Sequence, residues 1–190
     1  GTVQLTASAS DPGGDDTSLH YKWVFGDGAV EEGTDLKTVS HQYLGDSSGS
    51  PGGKYQVAVT VTDSDGATGS GNLALLVRNV APTVTPLQPV ATDEGSPVTL
   101  TAAASDPGDP VLGYSWDTDL DHDSNNDGVA DNDKDAAGKS VVVTYADSKA
   151  TPYRIAVTVT DDDGLTARTE GTVTVANLPP TVVLAAAGPI

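Results

Sequence analysis

Apolar and polar positions alternate along this chain in short runs. "YQVAVTVT" (Tyr55–Thr62) and "YRIAVTVT" (Tyr153–Thr160) place an apolar side chain at every second position. That period of two marks a strand with one buried and one wetted face. "DSDG" and "DDDG" follow directly, as hairpin turns whose glycine supplies a positive φ. "TVQLTASA" (residues 2–9) and "VTLTAAA" (residues 98–104) read as strands for the same reason. No stretch shows a convincing helical period. Short strands at regular spacing, separated by Gly, Asp and Pro, predict an all-β protein built of sandwiches.

The strands occur in two copies. Tyr55–Val84 realigns without a gap on Tyr153–Val182, 98 positions later. Upstream, "VQLTASASDPG" (Val3–Gly13) matches "VTLTAAASDPG" (Val98–Gly108), and "YKW" at Tyr21 matches "YSW" at Tyr114. Between the Trp and the next shared Tyr the copies differ: Trp23 to Tyr43 is 20 steps and Trp116 to Tyr145 is 29, a surplus of nine. That surplus falls in "DTDLDHDSNNDGVADNDKD" (Asp117–Asp135), an acidic insertion in a shared scaffold. "RNVAPTVTP" and "ANLPPTVVL" are equivalent joints. They divide the chain into domain one at residues 1–79, domain two at 80–177, and a segment at 178–190 that is the first strand of a next unit or a donor strand. Domain one lacks a counterpart of the strand that opens domain two. This frame predicts either a window on a longer tandem array or exchange of strands between molecules at a sheet edge.

The motifs "YKWVFGDG" (Tyr21–Gly28), "HQY" (His41–Tyr43) and "GGKYQVAVTVTDSDG" resemble the polycystic kidney disease (PKD) domain. The second copy keeps Tyr114, Trp116, Tyr145, Tyr153 and "VTDDDG", but has "DTDLD" in place of "VFGDG". The resemblance implies two tandem immunoglobulin-like sandwiches with an extra C-terminal strand, in a family used mostly as extracellular spacers or interaction modules. It also implies that Trp23 and Trp116 are core anchors and not sugar-stacking residues.

Composition sharpens this picture. The chain has one Phe, two Trp, no Met and no Cys, so its cores are thin and no disulfide can staple them. A net charge of −18 argues against nucleic acid and against insertion into or binding of an anionic membrane. No apolar run is long enough to span a bilayer. Metal ions remain as a staple, and the acidic insertion is where to seek them. Against the calcium-loop template D-x-[DN]-x-[DN]-G, Asp123, Asn125 and Asp127 fall at the first, third and fifth positions, with Gly128 at the sharp turn. The Val129 carbonyl and Asp131 take the next two ligand positions, and Asp133 or Asp135 must close the shell because Lys134 stands where an EF-hand has Glu. Asp117, Asp119 and Asp121 repeat the pattern upstream for a second ion, with His122 in place of its glycine. The stretch resembles thrombospondin type 3 loops, which wrap calcium without helices. The alternative reading is a solvated acidic run. A separate set, Asn79, Asp93, Glu94, Asp106 and Asp161, lies at strand ends near the joints and offers an interdomain calcium site or, alternatively, ordinary turn chemistry.

No catalytic constellation is evident: His20, His41 and His122 sit apart, and turn or calcium roles account for the carboxylates. The sequence therefore predicts a non-enzymatic structural unit of an extracellular or cell-surface filament, stalk or adhesin. Calcium would stabilise it, and it would partner itself in a head-to-tail homopolymer or tandem array by donor-strand complementation. The alternative is an accessory carbohydrate- or protein-binding spacer of a secreted hydrolase, with polysaccharide or a surface protein as partner.

Overall fold

The computed structural model describes residues 1–12, 18–108 and 112–185. The chain divides into two compact units: Gly1–Val80 with Asp106–Pro110, and Ala81–Ser105 with Val111–Ile190. Among the described residues there is no α-helix, and so none that is long and apolar enough to cross a membrane.

In the first unit, β1 (Thr2–Thr6) pairs antiparallel with β4 (Thr38–Gln42). The facing sheet runs in the order β3 (Val30–Thr34), β2 (His20–Val24), β5 (Tyr55–Thr62), β6 (Thr68–Leu75), all antiparallel. The period of two in β2 turns Tyr21 and Trp23 inward, where they join Leu5, Leu19, Phe25, Val39, Tyr43, Tyr55 and Val57 in one core. Trp23 is buried with its indole satisfied, Nε1 donating to the Leu36 carbonyl at 2.9 Å. An aromatic ring of that size can be buried whole only when its N–H finds such a partner.

The second unit repeats this plan and adds to it. A five-stranded sheet runs β12 (Ala136–Ala137), β11 (Gly113–Asp117), β14 (Tyr153–Thr160), β15 (Thr166–Ala176), β8 (Val90–Asp93). Its last pair, β15 with β8, is parallel. Opposite lie β9 (Pro97–Thr101) with β13 (Ser140–Thr144), and β7 (Thr83–Val84) with β10 (Ala104–Ser105). Trp116 is fully buried and its Nε1 donates to the Gly138 carbonyl at 2.9 Å, the same device as in the first unit. Residues 178–185 form no strand. The remainder of the expected C-terminal strand lies outside the described residues. A strand is held by its partner, and no ladder reaches this segment.

Equivalent positions are not equally covered. Val157 and Val159 of β14 are fully buried, whereas Val59 and Val61, their counterparts in β5, are half-buried. The segment from β7 to β8 accounts for the difference: Val84, Leu87 and Val90 pack on the second core, and the described residues of the first unit contain no such strand. Val157→Ala should therefore cost about 2 kcal/mol of stability, and Val59→Ala about half that or less. Chemical denaturation of the two variants measures this. Equal costs would mean that the two faces are equally sealed in solution.

Candidate functional site

Both hairpin turns follow one design. In the first, Asp63 Oδ1 accepts from the amides of Asp65 and Ala67, both at 2.9 Å, and Gly66 has φ +87°. In the second, Asp161 Oδ1 accepts from the Leu165 amide at 2.7 Å, and Gly164 has φ +88°. Asp161 thus serves a turn. Glu94 ties backbone as well, accepting from the amides of Leu178 at 2.8 Å and Ser148 at 3.3 Å. Of the residues read as interdomain ligands, Glu94 and Asp161 belong to the second unit, while Asn79 and Asp106 group with the first. Asp106 accepts from the Gly108 amide at 2.8 Å, and Asp93 closes β8.

The "FGDG" turn of the first unit has no such slack. A side chain at Gly26, with φ +87°, would put its Cβ 2.7 Å from the Gln56 backbone nitrogen, so only glycine fits there. Asp27 Oδ1 accepts from the Ala29 amide at 3.0 Å, and Oδ2 lies 2.7 Å from His41 Nε2. The His41 ring stacks on Phe25 at 3.9 Å, and Tyr43, pushed up to about 12 by burial and then by the Asp27 charge, donates to the Phe25 carbonyl at 2.9 Å. Burial acts to raise the Asp27 carboxyl. The hydrogen bonds from His41 and Ala29, with the His41 charge, outweigh burial and hold it below the usual carboxylate range. Sequence reasoning gave this Asp–His pair no role, although "GDG" and "HQY" are the signal that could have found it.

In the second unit the acidic insertion replaces that turn. Thr118 takes the place of Phe25, its carbonyl accepting from Tyr145 Oη at 3.0 Å, and Leu120 supplies the buried apolar side chain. Asp135 anchors the two ends together. Its Oδ2 accepts from the amide and hydroxyl of Thr118, both at 2.8 Å, and its Oδ1 from the Ser124 hydroxyl at 2.8 Å. Burial pushes the Asp135 carboxyl up, but these Thr118 and Ser124 bonds outweigh it and keep the group low.

The loop matching the calcium template is folded on itself. Asp123 accepts from the amides of Asp127 and Gly128 at 3.2 and 2.8 Å, Asn125 Oδ1 from the Asp127 amide at 2.8 Å, and Asp127 Oδ1 from the Val129 amide at 2.8 Å. The Asn132 side-chain amide reaches Asp127 Oδ2 at 3.0 Å, and this bond is the chief reason the carboxyl sits low. Asn126 and Gly128 both have positive φ, at 59° and 92°. Asp131 offers its carbonyl to Arg168 at 3.3 Å. Asp119 is held by Lys149 Nζ at 2.7 Å, and Asp121 lies 3.5 Å from Arg154.

Two carboxylates stand apart from this saturation. Asp117 and Asp133 are each only 4% exposed, yet Asp117 Oδ2 and Asp133 Oδ1 have no hydrogen-bond partner. The remaining oxygen of Asp117 accepts from the Asp119 amide at 3.2 Å, and that of Asp133 accepts from the Ser124 amide. Burial raises the Asp117 carboxyl, and the charges of Asp135 and Asp133 push it further the same way. A buried anionic oxygen without a donor is costly unless a cation meets it. The structure brings Asp133 and Asp135, 16 and 18 residues further along the sequence, into electrostatic reach of Asp117. It does not gather all the carboxylates read from the template. Among the described residues no three or more His, Asp or Glu side chains are placed as a ready metal cluster.

Residues 1–76 match the PKD domain. Chitinase A of Pseudoalteromonas piscicida is 31% identical over 121 residues, covering 60% of this chain and 14% of that enzyme. The chain thus spans about 14% of the length of the curated relative it matches. Among solved structures, the insect immune protein hemolin aligns at TM-score 0.49 and 13% identity over 93% of this chain and 43% of its own. A nucleoside hydrolase-related protein from Saccharophagus degradans aligns at TM-score 0.39 and 25% identity over 53% of this chain and 26% of its own.

The charge on Asp27 gives a pH-dependent term. A depressed folded pKa contributes stability that is fully present above the ordinary carboxylate pKa and is lost as pH falls through the folded value. Asp27→Asn should destabilise the first unit by about 1 kcal/mol near neutrality, with the difference from wild type vanishing in acid. Melting curves across pH test this, and a difference that persists unchanged into acid would mean the charge contributes nothing. The chain is an all-β protein of immunoglobulin-like sandwich architecture, and its first 76 residues match the PKD domain.

Proposed function

We propose that this chain is a non-catalytic extracellular spacer whose second sandwich is stiffened by calcium in the acidic insertion. The observation that carries this reading is the division of labour between scaffold and insertion. Both copies commit Trp, the landmark Tyr residues and the hairpin Asp to core and turns, and the insertion carries two buried carboxylates, Asp117 and Asp133, each with one oxygen lacking a donor. Spacing needs only rigid units of fixed length, which paired sheets with satisfied indoles and turns provide. Calcium, a hard cation that takes several oxygens, would neutralise Asp117 and Asp133 and tie the start of the insertion to its end. Asp119, Asp121 and the Asp123–Asp131 loop, including Asn125, Asp127 and the Val129 carbonyl, are the further oxygens it would draw on.

Such a spacer suits a filament, stalk or adhesin in which units repeat. It equally suits an accessory module of a secreted polysaccharide hydrolase, a setting supported by the likeness to a short stretch of chitinase A. In either setting the work is mechanical, since the copies keep length and stiffness constant while their loops vary.

The test is thermal melting with calcium and with chelator. At about a hundred times its Kd, calcium should add about 2.7 kcal/mol to the second unit. Asp133→Asn and Asp117→Asn should lose that gain while melting in chelator no earlier than wild type, because each removes a buried charge. No gain in the wild-type chain, or the same gain in both variants, would refute calcium at these oxygens.

A further inference from the structure

The acidic insertion leaves β11 alongside β14, where the Leu120 amide donates to the Arg154 carbonyl at 2.9 Å. Its carboxylates then divide into two tiers. Asp117 and Asp133 are turned inward, each 4% exposed and each with an oxygen that no donor reaches. Asp119 and Asp121 stay nearer the surface, and each meets a basic side chain of the sandwich. Lys149 Nζ lies 2.7 Å from Asp119 Oδ2, and an Arg154 nitrogen lies 3.5 Å from Asp121 Oδ1.

We propose that Lys149 and Arg154 are resident counter-cations of the calcium site: they hold the outer carboxylates until the metal takes them, and so set how tightly it binds. This rests on the calcium reading of the insertion and adds the competitor against which calcium binds.

The two tiers are joined. The Asp119 amide donates to Asp117 Oδ1 at 3.2 Å, and the Thr118 carbonyl between them is fixed by Tyr145 Oη at 3.0 Å. A hard cation takes six to eight oxygens, more than Asp117 and Asp133 can give, so it must recruit outer ones as well. Asp119 and Asp121 come next along the backbone. To serve the metal, each has to give up the basic partner it now has.

Lys149 is placed by the fold. Its ammonium sits 4.0 Å from the centre of the Tyr153 ring, a favourable seat for a cation. That ring is fixed in turn, with its hydroxyl donating to the Asp147 carbonyl at 2.8 Å and its face tilted on Tyr145 at 4.4 Å. An ammonium held in this way competes for Asp119 as a fixed charge, and the ring remains its seat when Asp119 turns to the metal.

The placing of charge agrees. The chain has nine Lys and Arg against 27 Asp and Glu, and three of the nine touch the insertion. The third is Arg168, which donates to the Asp131 carbonyl at 3.3 Å, and Glu170 bridges it to Arg154 at 3.0 and 3.2 Å. A chain so poor in basic residues spends a third of them on one segment, where they answer the carboxylates that calcium would need.

The experiment is calorimetric titration of calcium into the calcium-stripped 190-residue chain, in about 0.5 M salt so that charges not in contact are screened. Lys149 and Arg154 are 37% and 53% exposed, so replacing either leaves the fold intact. Lys149→Met should tighten calcium binding by about threefold, in keeping with a partly exposed ion pair. Arg154→Met should tighten it by a smaller factor, its contact being longer. Lys134→Met removes the same charge from an exposed position in the same insertion and should change the affinity clearly less than Lys149→Met. A lysine that merely propped the insertion would act in the opposite sense, its loss weakening calcium. Unchanged or weaker binding in Lys149→Met or Arg154→Met, or equal tightening by Lys134→Met, would overturn the assignment and leave calcium in place. No calcium uptake by the wild-type chain would instead remove the calcium reading itself, and the competitor with it.

Discussion

A sandwich this lean depends on the strand that seals its flank. Neither unit can rely on bulk, because the chain has a single Phe and no Met, and each core is a few aromatic anchors set among Val, Leu and Ala. With so little apolar volume, one strand laid over β14 and β15 takes Val157, Val159 and Val173 to full burial. The same sheet in the first unit leaves Val59, Val61 and Leu75 half-buried. Each such side chain forgoes a large part of the roughly 1.5–3 kcal/mol that complete burial supplies. For a small domain that loss is a sizeable share of its whole stability.

Charge sets the second constraint. The chain carries a strong net negative charge, and many of its carboxylates accept backbone amides in turns. Asp63, Asp123, Asp127 and Asp161 all do so. Asp27 goes further and fastens the "FGDG" turn to His41 of the facing sheet. In the second unit that turn is replaced by an insertion that folds two carboxylates inward. Asp117 and Asp133 are buried with an oxygen each unanswered, a cost that a divalent cation would reverse into a staple.

Much of this was legible in the sequence because repetition and alternation are local signals. The offset of 98 residues, the strands from Tyr55 and Tyr153, and the hairpin role of the Asp-x-Asp-Gly turns followed from period and turn chemistry alone. Burial was less legible. The template drew attention to Asp123, Asn125 and Asp127, whose oxygens are occupied by their own loop. The donor-less oxygens belong to Asp117 and Asp133, at its flanks. A motif records spacing along the chain, whereas which carboxylate is carried inward depends on where β11 ends beneath the insertion. The packing of Leu87 over Gly171 was likewise invisible until the pair could be seen in contact.

The unsealed flank is the centre of this account, and amide hydrogen exchange reads it most directly. In this chain the amides along Thr68–Leu75 should exchange much faster than those along Thr166–Ala176. Equal and slow exchange of both strands would contradict it, because the first sandwich would then be as closed as the second.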